Sequence, residues 1–496
     1  MMKMETVYNN LEQKTNNILE HTQMKIDYKA DVPADAKKVL STKNTLFQND
    51  LDVNDNEVTV FGDIISRAVF INENDKFDSN EVSNRFEAKI PLKDAKKYSG
   101  LSAVARLIDD NIIDVVLTGL SSKSIRYVSG IDGGCEIKTN ATKIGSFDSA
   151  VNEKFSIEDA VELDKNCEGV ISVDVNTVVR DIVANSGKIS VKGIISLNVF
   201  GIKGGDGGSV PFNSYYDIDF TKSFAAENLT PNDYAFGNLI LAGVQTKIET
   251  DKKLMLDVEI IMQFNGVVYK YTEIQNVVDA ISPVQELAFA SGNIEQTEVM
   301  PQINSVVDVE SNINVAGDIG YVSKVLSVDN VNFGAFNVTP VDNKVNIEGI
   351  VKASVLAETE EKMLLNFPVE FPVSLFVRAE GIDREHNVLT AVSPVSVNMK
   401  ARRGQELLID IRVGVSVIAS QTKQIQMLSE IIVGKDKIKD ESAVRIYIVG
   451  EKDSLWDIAK NTNVSSNEIL RQNPQLSSGV IVGDRVIIYR QEVVQF

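Results

Sequence analysis

A mainly β, multidomain chain is predicted from this sequence: three tandem β-sandwich or barrel-like domains followed by a small α+β module. Three observations carry that prediction. A strand pattern with a central glycine occurs three times at domain-sized spacing, an aromatic alternating stretch follows each copy, and the composition changes style after Gly434. At 496 residues the chain is too long for one ordinary core, and a prior of about 100–200 residues per domain fits several units. Hydrophobic residues make up 43% of it, so each unit can bury a core of its own.

The elements follow in chain order. Val7, Leu11, Ile18 and Leu19 recur at roughly helical spacing among asparagines, which predicts a polar helical tail over 1–25. It reads equally as a frayed end or a partner-docking helix. No apolar run of signal-peptide length follows a basic start, and nothing approaches the ~20 apolar residues of a membrane span.

The repeated strand reads Val58-Thr59-Val60-Phe61-Gly62-Asp63-Ile64, Ile189-Ser190-Val191-Lys192-Gly193-Ile194-Ile195 and Val345-Asn346-Ile347-Glu348-Gly349-Ile350-Val351. Alternating β-branched and polar residues mark a half-buried strand, and a glycine inside one marks a bulge or a close backbone approach. Downstream come Phe86–Ile90, Tyr216–Phe220 and Phe371–Leu375, the aromatic strands. Copies two and three then share Leu254–Ile260 and Leu407–Val413, with Asp257 and Asp410 in register. The first copy lacks that signature, and Cys135-Glu136-Ile137-Lys138 is its expected counterpart. It also carries an expected helical insertion at Asp94–Asp109, with Ala95, Leu101, Val104 and Leu107 as core contacts. The predicted domains are 26–150, 151–285 and 286–434, joined by a charged linker at 435–444 to a module at 445–490.

In the last module Ile446-Tyr447-Ile448-Val449 is a strand and Ser454-Leu455-Trp456-Asp457 a capping box opening a helix. Ser465–Glu468 reads as a second box. Asn473-Pro474 ends that helix, because proline cannot continue it. Val486-Ile487-Ile488-Tyr489 closes as a strand. Trp456 reads as core, and Ser454 as a helix cap before anything else.

The triple repeat resembles the SPOCS domain, a β-rich module of spore-envelope morphogenetic proteins. The closing module resembles a LysM domain through Asp453–Ala459, Asn473-Pro474 and Ile481–Ile488. That resemblance implies a βααβ fold and a groove for N-acetylglucosamine chains. One wall would be Lys452, Asp453, Ser454 and Leu455; the other Asn473, Pro474, Gln475 and Ile481. Lys452 stands where the family usually has glycine, and Val482 where it often has proline. Together the modules are similar to the SipL-type family of spore morphogenetic proteins. That implies a mother-cell protein on the forespore surface, whose LysM module engages a coat-anchoring ATPase and other coat proteins. The alternatives are a peptidoglycan- or cortex-binding protein and a self-assembling component of an outer spore layer.

Chemistry narrows in the same direction. There are 50 Lys+Arg against 70 Asp+Glu, a net charge of -20, so the summed field repels nucleic acid. The 445–490 module is near +1, leaving -21 on the rest. Only His21, His386, Cys135 and Cys167 are available for most nucleophile and metal chemistries, so no catalytic residue, metal or cofactor is expected. Cys135 and Cys167 are expected as reduced thiols. Gly201–Ser209 lacks the order of a phosphate loop and reads as a flexible connection. Asp75, Asp78, Asn80 and Glu81 lack calcium-loop spacing. Arg402–Gln405 fits a hairpin tip.

Overall fold

The computed structural model describes residues 4–109, 111–205, 208–249, 254–315, 317, 319–402, 405–437 and 442–489. The first repeat contains β1 (Glu5–Lys25), β2 (Ala36–Val53), β3 (Glu57–Asn72), β4 (Phe77–Pro91), β5 (Ser99–Asp109) and β6 (Ile112–Asp132). Its sheets are β1-β6-β5 and the meander β2-β3-β4. The two pack face to face over Val58, Val60, Ile64, Phe86, Ile113, Val115 and Leu117.

The second repeat has the same plan: β7 (Glu136–Glu162), β8 (Cys167–Asn185), β9 (Lys188–Gly205), β10 (Gly208–Ala225), β11 (Tyr234–Glu249) and β12 (Met255–Ile281). Its sheets are β7-β12-β11 and β8-β9-β10. In the third, Pro301 lies between two shorter strands, β13 (Gln285–Val299) and β14 (Ile303–Asn314), that stand for the first strand. Then come β15 (Val322–Val341), β16 (Lys344–Thr359), β17 (Leu364–Arg378), β18 (Asn387–Arg402) and β19 (Glu406–Asp436). Strand β19 pairs with β13, β14 and β18, and β15-β16-β17 is the meander.

The glycine strands are β3, β9 and β16, and the aromatic strands β4, β10 and β17 lie beside them. The glycines have a packing reason. A Cβ on Gly62 would sit 2.4 Å from the Phe86 ring, and one on Gly193 2.6 Å from the Phe220 ring. Gly349 pairs instead with Val373.

The closing strands β6, β12 and β19 outrun their sandwiches. With β1, β7 and β13 they form three two-stranded ribbons. Corresponding residues of the ribbons meet in a shared core: Ile125, Ile274 and Ile425, then Val128, Val277 and Leu428, then Ile131, Ala280 and Ile431. The ribbons are therefore a stalk with three-fold pseudosymmetry.

A second meeting point closes the ring. Strands β2, β8 and β15 each carry a bulge, at Leu40, Ile171 and Leu326, followed by Ser41, Ser172 and Ser327. Leu40, Leu326, Val69, Phe200 and Leu356 share one core with Ile171 against it. Ser79 Oγ donates to Ile171 O (2.9 Å), and at the equivalent register Asn366 Nδ2 donates to Leu40 O (2.6 Å). Tyr215 donates to Val397 O at 2.6 Å between repeats two and three. Each repeat thus contacts both others.

Several expectations are corrected. Of the expected helical tail over 1–25, Glu5–Lys25 is strand β1, not a helix, and residues 1–3 lie outside the described residues: the β6 ribbon needs a partner for its backbone groups, and Asn and Thr favour that over helix. The Asp94–Asp109 insertion is one 3₁₀ turn (Ala95–Lys97) leading into strand β5. Cys135–Lys138 opens the second repeat, and the counterpart of Asp257 and Asp410 is Asp114 at the start of β6. The expected boundary at 150/151 falls inside β7. Gly201–Gly205 is strand, and 206–207 lie outside the described residues, as do 403–404 of the Arg402–Gln405 tip. Cys135 and Cys167 are free thiols, partly buried. Among the described residues no helix is long and apolar enough to cross a membrane.

Candidate functional site

Beyond β19 the chain folds into β20 (Val444–Ile448), α1 (Leu455–Thr462), α2 (Ser466–Gln472), a 3₁₀ turn (Pro474–Ser478) and β21 (Arg485–Tyr489). Strands β20 and β21 pair antiparallel. Ser454 caps α1 with a full reciprocal box: its hydroxyl accepts from Asp457 N, and the Asp457 carboxylate accepts from Ser454 N at 2.9 Å. The Ser454 hydroxyl, which donates to the same carboxylate, and the Ser454 N–H hold the Asp457 carboxyl below its usual range. Ser465 caps α2, but Glu468 turns to Arg471 and Gln472 rather than back to the cap, so the expected second box is half formed.

Asn473 is not an open groove residue. It is buried, donating to Ile469 O (3.0 Å) and Ile487 O (2.8 Å) and accepting from Ile487 N (2.9 Å). Its amide latches α2 to β21, a stronger role than the stop signal the sequence suggests. Asp453 is also committed, accepting from Gly450 N (2.7 Å) and the Tyr447 hydroxyl (2.8 Å).

The remaining candidates stand on two exposed loops. Lys452 and Ser454 are exposed on one, with Leu455 half-buried behind them. Pro474, Gln475 and Ile481 are exposed on the other. The loops meet where Gly483 N donates to Val449 O (2.9 Å) and Val449 N to Asp484 O (3.0 Å). Ile481 and Val482 are 69% and 58% exposed, unusually open for β-branched residues. Strand β20 also turns Val444, Ile446 and Ile448 to solvent on one face.

Residues 447–488 match the LysM domain family. This stretch is a LysM domain. No curated protein and no solved structure matches the chain.

The LysM domain is fastened to the stalk. Ile281, the last residue of β12, is buried within the domain's own core beside Ile458, Ala459, Ile469 and Val486. The Trp456 indole donates to Asp279 at 2.9 Å, and Lys460 bonds both oxygens of the same carboxylate. Ser466 N donates to Glu136 Oε2 at 2.7 Å. Lys437, from the expected linker, donates to Ser282 O at 3.0 Å. Residues 438–441 of that linker lie outside the described residues. Trp456, expected as core of the small module, packs half-buried against that core and also anchors the domain to the stalk. Asp279 and Ile281 are the residues that sequence reasoning missed, because nothing local signals a partner in another domain. LysM domains generally suggest glycan binding, and the exposed loops are where that resemblance places the ligand.

Proposed function

We propose that this protein is a non-catalytic scaffold of the bacterial endospore envelope, presenting its LysM domain to a protein partner. The resemblance of the repeats names that partner as the coat-anchoring morphogenetic ATPase, with other coat proteins around it. The mother-cell cytoplasm at the forespore surface is the matching location. The observation that carries the reading is the clamp at Asp279 and Ile281. It fixes one face of the LysM domain on the stalk and leaves Lys452, Gln475 and Ile481 outward. Exposed apolar side chains at Val444, Ile446 and Ile448 favour a protein ligand, since such patches mark interaction surfaces. Lys452 in place of glycine puts a long side chain where a sugar backbone would come close.

The second reading is binding to N-acetylglucosamine polymers, favoured by the LysM match itself. Because Ile281 completes the domain's core, the test uses the full chain. It is titrated in parallel with N-acetylglucosamine oligomers and with the ATPase, using Lys452→Gly, Gln475→Ala and Ile481→Asp variants. ATPase binding that Ile481→Asp weakens supports the scaffold. Saturable sugar binding without ATPase binding replaces it with the glycan reading.

A further inference from the structure

The three ribbons of the stalk do not close on one another in the same way. Between the first and second, Gln13 Nε2 donates to Gly145 O (3.1 Å) and Lys14 N to Ser146 Oγ (2.8 Å). Between the second and third, Tyr269 donates to Thr297 O (2.7 Å). Between the third and first, Thr6 Oγ1 bonds Ile431 O near the tip (3.0 Å). Elsewhere along that third interface lies an open groove of about 200 Å³.

One wall is Lys123–Arg126, four consecutive residues of β6. Successive side chains of a strand point to opposite faces, so consecutive lining residues mean that the strand presents its edge. That edge is free. Pairing with β5 ends at Leu120, and from Ser121 to Asp132 β1 is the one strand paired with β6 among the described residues. Half of its backbone N–H and C=O groups there point outward and are therefore available to a further strand.

The facing wall contains Gly292 of β13, opposite Met427. At the equivalent register the other ribbons carry Asn9 opposite Tyr127 and Asn140 opposite Asn276. Neither conformation nor crowding demands this glycine. Its φ is not left-handed, and an added Cβ would meet only Ser429 Cβ, at 3.7 Å. Ser429 is itself the extra residue of a bulge. A strand-interior glycine with room for a side chain is what close approach of another backbone requires.

Charge selects the occupant. Lys123 and Arg126 are exposed at the groove in a chain of net charge -20. Arg126 lies over the Tyr8 ring at 3.6 Å, and neither cation has an acidic partner among the described residues. Ile125, Ile294 and Met427 supply an apolar floor.

We propose that this groove docks an extended acidic segment of a partner protein. The segment adds as a strand along the free edge of β6 and crosses over Gly292, with its acidic side chains on the face of Arg126, opposite the face that Ile125 shares with Lys123. Alternate apolar side chains of the segment face Ile125 and Ile294. This site is separate from the LysM loops and stands whether those bind protein or glycan.

The probe is a fluorescein-labelled peptide of about six residues, a common strand length, alternating Glu and Val. It is titrated by anisotropy into the full chain, beside a Lys–Val counterpart and a Glu–Val peptide N-methylated at alternate amides. Thermal melting of each variant reports folding. Arg126→Glu is an exposed change that keeps the test decisive if Gly292→Val does not fold. The expected result is salt-sensitive binding of the Glu–Val peptide, weakened about tenfold or more by either variant and by either control chemistry. No binding, equal affinity for the methylated peptide, or indifference to both variants would overturn the site. A concentration-dependent dimer that Gly292→Val dissolves would assign the groove to a second copy and overturn the partner segment.

Discussion

Trp456 Nε1 donates to Asp279 Oδ2 at 2.9 Å, across 177 positions of chain, and so joins the first LysM helix to the end of β12. Trp456 is the only tryptophan, which makes its emission a direct report on this contact. Asp279→Ala leaves the indole and Lys460 without their acceptor. The expected outcome is a red-shifted emission maximum and stronger iodide quenching, with the melting of the β body unchanged. An unshifted spectrum would mean that Ile281 alone holds the domain.

The same contact has a pH dependence of known sign. Burial works against ionisation of Asp279, but Lys460 and Trp456 outweigh it and hold its pKa below the ordinary value. A depressed carboxyl pKa contributes stability that is complete above the unfolded pKa and is lost as pH falls through the folded one. Docking should therefore hold through neutral pH and weaken only below the usual aspartate range of about 4. Tryptophan emission followed through an acid titration checks it, and release near pH 6 would point to another group.

The sequence made the glycine and aromatic strands legible because β3 and β4 keep a strict period of two around Gly62 and Phe86, and the later copies follow. It hid the ring. Val39-Leu40-Ser41, Val170-Ile171-Ser172 and Val325-Leu326-Ser327 form as clear a repeat, yet the bulge at the middle residue shifts the alternation and breaks the pattern. Strand β1 reads as a helix because Val7, Leu11 and Ile18 recur at intervals of four and seven, the second of which breaks a period of two, and its ribbon is half-wet on both faces. The LysM segment was readable from its caps and Asn473-Pro474. Its dock was not, since Asp279 and Trp456 carry no shared local signal.

Gly62 and Gly292 predict opposite responses to one substitution. A Cβ at Gly62 would lie 2.2 Å from Phe47 O and 2.4 Å from the Phe86 ring, and backbone cannot yield. Gly62→Ala should destabilise the first sandwich by about 1–3 kcal/mol or more, as overpacking does. Gly292→Ala should be neutral or stabilising, because its Cβ has room and strand glycine costs about 0.5–1 kcal/mol against alanine. Urea unfolding of both variants checks the pair, and equal destabilisation would contradict the groove geometry.

The ring axis supplies the last prediction. Lys43, Asp174 and Asp329 occupy one register position in the three repeats, with Arg67 beside them. Lys43 lies 2.9 Å and Arg67 3.1 Å from the Asp174 carboxylate. Burial opposes charge on Asp174, but those cations win and lower its pKa. Asp329 has Ser327 as a donor, and there burial and the neighbouring Asp174 raise its pKa. The two aspartates should thus answer oppositely to amidation. Asp174→Asn strips two half-buried cations of their shared anion, leaving Arg67 only Glu81, and should cost on the order of 3 kcal/mol at pH 7. Asp329→Asn removes a charge the site resists and should be neutral or stabilising. A raised carboxyl pKa adds stability on the acid side that fades as pH rises through it. The wild-type chain should therefore lose part of this contribution above the ordinary aspartate range, while Asp329→Asn flattens that limb. Denaturation midpoints of both variants across pH 4–8 check the assignment, and a destabilised Asp329→Asn would show that Asp329 is a working anion of the cluster.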